Sequence, residues 1–106
     1  MMNTKIYKAV HSLAELLMEA VKRKDDKSFA ALYTELKAIC VDNENTEKDH
    51  PVQWETLADF TEDLEEAISV YAKALTKAVA INSKDVLYRV FYGSITHRVG
   101  PNRYRH

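Results

Sequence analysis

The side chains most able to hold a metal or begin nucleophilic chemistry are the histidines His11, His50, His97 and His106 and the single cysteine, Cys40. Metal sites draw ligands from short, characteristic intervals, and no pair among these residues stands at one. Cys40 falls on an apolar helix face, where a thiol is ordinarily a packing residue. No serine sits in a glycine-flanked elbow. A chain whose only glycines are Gly93 and Gly100 has no glycine-rich loop to cradle a phosphate. The expectation is a protein that is not an enzyme and holds no metal and no cofactor.

Two charged groupings are better suited to binding. Glu55, Asp59, Glu62 or Asp63, and Glu66 follow one another at roughly helical spacing. Carboxylates in such a line can hold a cation or a basic partner segment; where a turn near Glu62 splits the line, it becomes a solvated face. The second grouping is C-terminal, where Arg89, Arg98, Arg103 and Arg105 interleave with Tyr88, Tyr92 and Tyr104. Arginine with aromatic rings binds phosphates and stacks on bases. The two groupings reflect a charge asymmetry, since residues 1–83 carry a formal −5 and residues 84–106 a formal +4. A whole-chain pI near 6.4 argues against a dedicated nucleic-acid protein. The other basic run, Lys22-Arg23-Lys24, stands at a helix C-terminus, where positive charge complements the dipole.

The elements that must position these groups are helical. Ala, Leu, Glu and Lys are frequent and only two Gly and two Pro occur in 106 residues, so there is little to break a helix. In the first helix, about 4–24 with Thr4 as N-cap, Ile6, Val10, Leu13, Leu16, Leu17, Ala20 and Val21 recur at three- and four-residue steps. A second helix, about 28–41, faces inward with Phe29, Leu32, Tyr33, Leu36, Ile39 and Cys40. Residues 42–49 contain no apolar side chain and form a loop. Pro51 suits the first turn of a third helix, about 51–60, because proline lacks an N–H that would be orphaned there. Trp54 on that helix is expected to be a core ring. The fourth helix, about 63–81, carries Ala67, Tyr71 and Ala74 on its inner face. A fifth, about 84–99, competes with a hairpin turning at Gly93-Ser94; Val86, Leu87, Val90, Phe91 and Ile95 fit the helical stripe, whereas both hairpin faces would be apolar. No segment resembles a signal peptide or reaches the ~20 apolar residues that cross a bilayer, so no membrane contact and a cytoplasmic setting are expected.

Shifting the chain by 38 residues lays Leu16 on Trp54 and Tyr92, Ala20 on Ala58 and Thr96, Phe29 on Ala67, Tyr33 on Tyr71, and Leu36 on Ala74. Ala67, Tyr71 and Ala74, followed by Ile81-Asn82-Ser83-Lys84-Asp85, and Gly93 and Gly100 at glycine positions, resemble the tetratricopeptide repeat. The pattern departs from that family in a period longer than about 34 residues. It departs also in Glu55 at a helix-A glycine position, Pro51 at the early tryptophan, and Phe29 in place of alanine.

The resemblance implies an all-α fold of about five helices, stacked as antiparallel helical hairpins in one domain over 1–106. Its units would span about 4–41, 51–83 and 84–100, ahead of a basic tail, 101–106. It implies a non-enzymatic adaptor that binds a peptide or helix of a partner protein. The concave helix-A face would then present His11, Met18, Val52, Thr56, Asp59, Val90, Ser94 and His97. Two and a half units leave one apolar side of the fifth helix bare, to be covered by homodimerisation or by a partner helix. Alternatives are nucleic-acid or acidic-ligand binding through the arginine-rich end, and a secretion-chaperone or immunity-type protein.

Overall fold

The apolar spacing is realised in four helices: α1 (Thr4–Lys22), α2 (Asp26–Asp42), α3 (Pro51–Asp59) and α4 (Leu64–Ala80). They come from a computed structural model that describes residues 3–84 and 87–89. The fold class is all-α, and no strand occurs among the described residues. None of these helices is long and apolar enough to cross a membrane. Helical backbone resumes at Lys84 and over residues 87–89, with Leu87 N–H bonded to the Ser83 carbonyl at 3.0 Å. The choice between helix and hairpin beyond that point, and the basic tail, lie outside the described residues.

Each helix starts on a side chain that takes an otherwise orphaned backbone N–H. Asn3, Asp25, His50 and Asp63 accept from Ile6, Ser28, Val52 and Glu66 at 3.0–3.2 Å. Asn3, and not Thr4, therefore caps α1. The expected helix over 4–24 stops at Lys22, because Lys24 turns left-handed (φ 56°). Its N–H bonds to the Val21 carbonyl, and Asp25 N–H reaches back to Ala20. The same closing pair ends α4, with Asn82 left-handed (φ 55°) and Ser83 N–H on the Ala78 carbonyl at 3.0 Å. Asparagine tolerates that conformation; at Lys24 it costs about 1 kcal/mol.

α1 packs on α2, α3 on α4, and α3 also meets α1 and α2. On α4 the fully buried residues are Ala67, Tyr71, Ala74 and Ala78, small side chains that admit α3 closely while one ring fills the gap. Under the 38-residue shift, Asp26–Asp42 falls end to end on Leu64–Ala80, and N-cap Asp25 falls on N-cap Asp63. Phe29, Leu36 and Cys40 are buried as Ala67, Ala74 and Ala78 are. In the first helix of each pair the shift holds only in part, with Ala20 and Ala58 both buried. Leu16 is 50% exposed while Trp54 is 3% exposed, so the expected match of core residues at these positions is wrong. One helical step turns a residue about 100°, which carries Leu16 off the face shared by Leu13, Leu17, Ala20 and Val21. A 37-residue shift aligns that face instead, setting Leu17 on Trp54 and Val21 on Ala58, all buried. The difference arises in the turns: residues 23–25 join α1 to α2, whereas residues 60–63 join α3 to α4.

The loop between α2 and α3 is held by Asp49. Its Oδ1 accepts the Trp54 Nε1–H at 2.8 Å, and its Oδ2 accepts the Lys77 ammonium at 2.6 Å and the Asn45 N–H at 2.8 Å. Lys73 and Lys77 stand 4.6 and 5.4 Å from the Trp54 ring centroid, within cation–π range, and Lys73 also pairs with Glu44 at 2.9 Å. Burial raises the Asp49 carboxyl, but the bonds from Lys77, Asn45 and Trp54 outweigh it and hold the group below the usual carboxylate value. Gln53, fully buried, donates to the Lys48 carbonyl at 3.0 Å and accepts the His50 N–H at 3.3 Å, completing a reciprocal cap with His50. Cys40 is buried as expected; burial first, then Asp49 and Glu44, push its thiol up to about 12.

Two outcomes follow. Asp49→Ala leaves the half-buried Lys77 ammonium only the more distant Glu44, at 3.8 Å, and deprives the Trp54 indole N–H of its acceptor, and should lower stability in urea by about 2 kcal/mol; a loss near that of an exposed ion pair would contradict the role given to Asp49. The His50 cap needs an unprotonated Nδ1, and burial holds this imidazole below its ordinary 6.5, with Asp49 opposing. The unfolded chain therefore takes up the proton first. The contribution is complete above pH 6.5 and is lost as pH falls from there through the folded-state value. Urea melts between about pH 7.5 and about pH 5.5 should show that fall, and His50→Asn, which keeps a cap acceptor, should flatten it.

Candidate functional site

Of the residues expected on a concave surface, His11 and Met18 are exposed on α1, and Val52, Thr56 and Asp59 are half-buried on α3. His11 Nε2 lies 2.7 Å from Glu15, and its ring stacks on Tyr7 at 6.2 Å. Val52 packs against the core, and the Thr56 hydroxyl donates to the Val52 carbonyl one turn earlier at 2.8 Å. Asp59 accepts the Tyr71 hydroxyl at 2.5 Å, which ties α3 to α4. Val90, Ser94 and His97 lie outside the described residues. Of the basic grouping, Arg89 is described and grips Glu55 in a two-pronged pair, Nε to Oε2 at 3.0 Å and Nη2 to Oε1 at 3.2 Å. Burial raises the Glu55 carboxyl despite that partner. Arg98, Arg103 and Arg105 lie outside the described residues. Among the described residues no three His, Cys, Asp or Glu side chains are grouped to hold a metal ion.

The row of carboxylates is divided at the α3–α4 turn. Glu55 and Asp59 are engaged on α3, while Glu62, Asp63 and Glu66 turn towards α2. There they border a groove of about 400 Å³, walled by Asp26, Phe29, Ala30, Tyr33 and Thr34 of α2 and by Phe60 and Thr61 of the turn. The floor is aromatic: Phe29 lies 6.4 Å from Tyr33 with nearly parallel rings, and 6.4 Å from Phe60 at a tilt of 58°. Thr61 donates to the Leu57 carbonyl at 2.8 Å, so the 2.8 Å bond between Tyr33 and Thr61 is donated by Tyr33. Burial pushes the Tyr33 phenol up, and the nearby Glu66 and Glu62 push the same way. No lysine or arginine lines the groove; Lys37 reaches Glu66 at 3.4 Å, both side chains being about half exposed. A recess beside the α1 N-terminus, about 610 Å³, is larger but has no aromatic floor.

A second surface runs along α4, where Leu64, Ile68, Leu75 and Val79 are all exposed. Their spacing of four, seven and four residues sets them in one stripe. The stripe flanks the buried face of Ala67, Tyr71, Ala74 and Ala78. Apolar side chains aligned this way on one helix face offer a surface another helix could cover.

Sequence reasoning found the carboxylates at Glu62, Asp63 and Glu66 but missed their companions Asp26, Phe29, Tyr33 and Phe60. No spacing rule joins residues of α2 to a turn some thirty positions later; the packing of α2 beside that turn does it. The floor is structural, as is the Asp63 cap, whereas Glu62 on the rim is not, and substitutions should separate the two. Tyr33→Phe, which leaves the buried Thr61 hydroxyl short of a donor, should lose about 1 kcal/mol in urea melts. Glu62→Gln should stay within about 0.5 kcal/mol of the parent. Equal losses would refute the division.

No family model, curated protein or solved structure matches the chain.

Proposed function

We propose that the chain is a non-enzymatic interaction module of tetratricopeptide-like helical hairpins, working in the cytoplasm, that holds a peptide or helix of a partner protein. The observation that carries this is the exposed stripe of Leu64, Ile68, Leu75 and Val79 on α4. Leaving four large apolar side chains about half exposed forgoes about 1 kcal/mol for each, and an α-helix of a partner laid against them recovers part of it. The repeat-like character is supported by the coincidence of α2 and α4 under one shift, and by α3 meeting both helices of the first pair. Nucleic-acid binding loses one of its arginines to the Glu55 pair.

Affinity capture from the native cell, followed by mass spectrometry, tests it with an internal control. Ile68→Ser with Leu75→Ser alters only exposed positions and should preserve helicity. It should reduce recovery of the authentic partner roughly tenfold. Equal recovery by the parent and the double variant would overturn the assignment of the α4 stripe.

A further inference from the structure

We propose that the groove between α2 and the α3–α4 turn receives an arginine side chain from a basic peptide segment of a partner protein. The occupant follows from the contrast between floor and rim. Phe29, Tyr33 and Phe60 provide an apolar base, while Asp26, Glu62, Asp63 and Glu66 surround it with carboxylates. A guest must therefore be greasy along its stem and cationic at its head. Arginine fits both halves: its methylene chain lies against rings, and its planar, weakly hydrated guanidinium stacks on aromatic faces and offers forked N–H donors to carboxylates. A lysine head is a compact, strongly hydrated charge and uses the ring faces less well.

Other guests fit poorly. A phosphate meets only like charge at this rim. A divalent cation needs converging oxygens, and no three acidic side chains are so grouped among the described residues. The volume, about 400 Å³, stands at the lower end of the roughly 300–1,000 Å³ range of ligand cavities, enough for one long side chain and its immediate backbone. The α2 wall is finished by Ala30 and Thr34, one turn apart and both exposed, so no bulky residue obstructs entry there. This site is separate from the α4 stripe and would take a different part of a partner.

The test uses the full chain and a short labelled peptide of alternating arginine and serine, followed by fluorescence anisotropy. A peptide of the same length with citrulline in place of arginine keeps the shape and removes the charge. Binding should be measurable at low salt, weaken as salt rises, and be at least about tenfold poorer for the citrulline peptide. Ala30→Trp, which fills the groove without altering charge, should abolish it. Glu62→Gln with Glu66→Gln should weaken it about fivefold while circular dichroism and the urea midpoint hold steady. Ile68→Ser with Leu75→Ser should bind the peptide as the parent does, which keeps a failure of the α4 stripe distinct from a failure of the groove. Equal binding of the citrulline peptide, or full binding by both groove variants, would sink the proposal. Binding that emerges only after residues 98–106 are removed would also overturn it, since the occupant would then be the chain's own arginine-rich end.

Discussion

The fold depends on a carboxylate that serves three donors at once. Residues 43–50 offer no apolar side chain to the core, so the link between α2 and α3 has nothing of its own to bury. Asp49 substitutes polar anchoring for burial by bonding the Trp54 indole, the Lys77 ammonium and the Asn45 backbone. The arrangement is mutual. The indole can be almost wholly buried because its N–H is satisfied, and the ammonium lies close to a ring because a carboxylate neutralises it. Through these contacts one side chain ties the loop to α3 and α4 together, and it fixes where the second hairpin begins relative to the first.

The sequence was most legible where packing follows a helical period. Ala67, Tyr71 and Ala74 announce a closely packed face by size and spacing alone, and the 38-residue shift finds α2 and α4 with the same bounds. It was less legible where several apolar residues crowd one stretch. Leu16 and Leu17 are equally hydrophobic neighbours, and only the partner helix decides which of them is buried. The cap at His50 was hidden because imidazole is an uncommon acceptor at a helix start. The groove was hidden for a different reason: its carboxylates could be suspected, but the rings that give them a floor come from another helix.

The two candidate surfaces are chemically unlike. The α4 stripe is purely apolar and suits another amphipathic helix, whose affinity would depend little on salt. The groove pairs rings with negative charge and would be strongly salt-dependent. Under the proposed reading, a chain with one surface of each kind would seat a partner by shape on one side and choose among partners by charge on the other.

The two hairpin turns differ by a single residue, and every residue of the longer one, Phe60, Thr61, Glu62 and Asp63, borders the groove. The extra position does not disturb the core, since α4 keeps the same burial pattern as α2. A change of length confined to exposed Glu62 would therefore bear on recognition, whereas one that displaced buried Phe60 or Thr61 would bear on folding as well. Shortening it to three residues would bring both helices of each pair onto a common repeat and take away part of the ledge that borders the groove. In such a hairpin, turn length sets surface relief at its exposed position, Glu62, while Phe60 and Thr61 keep the turn anchored in the core.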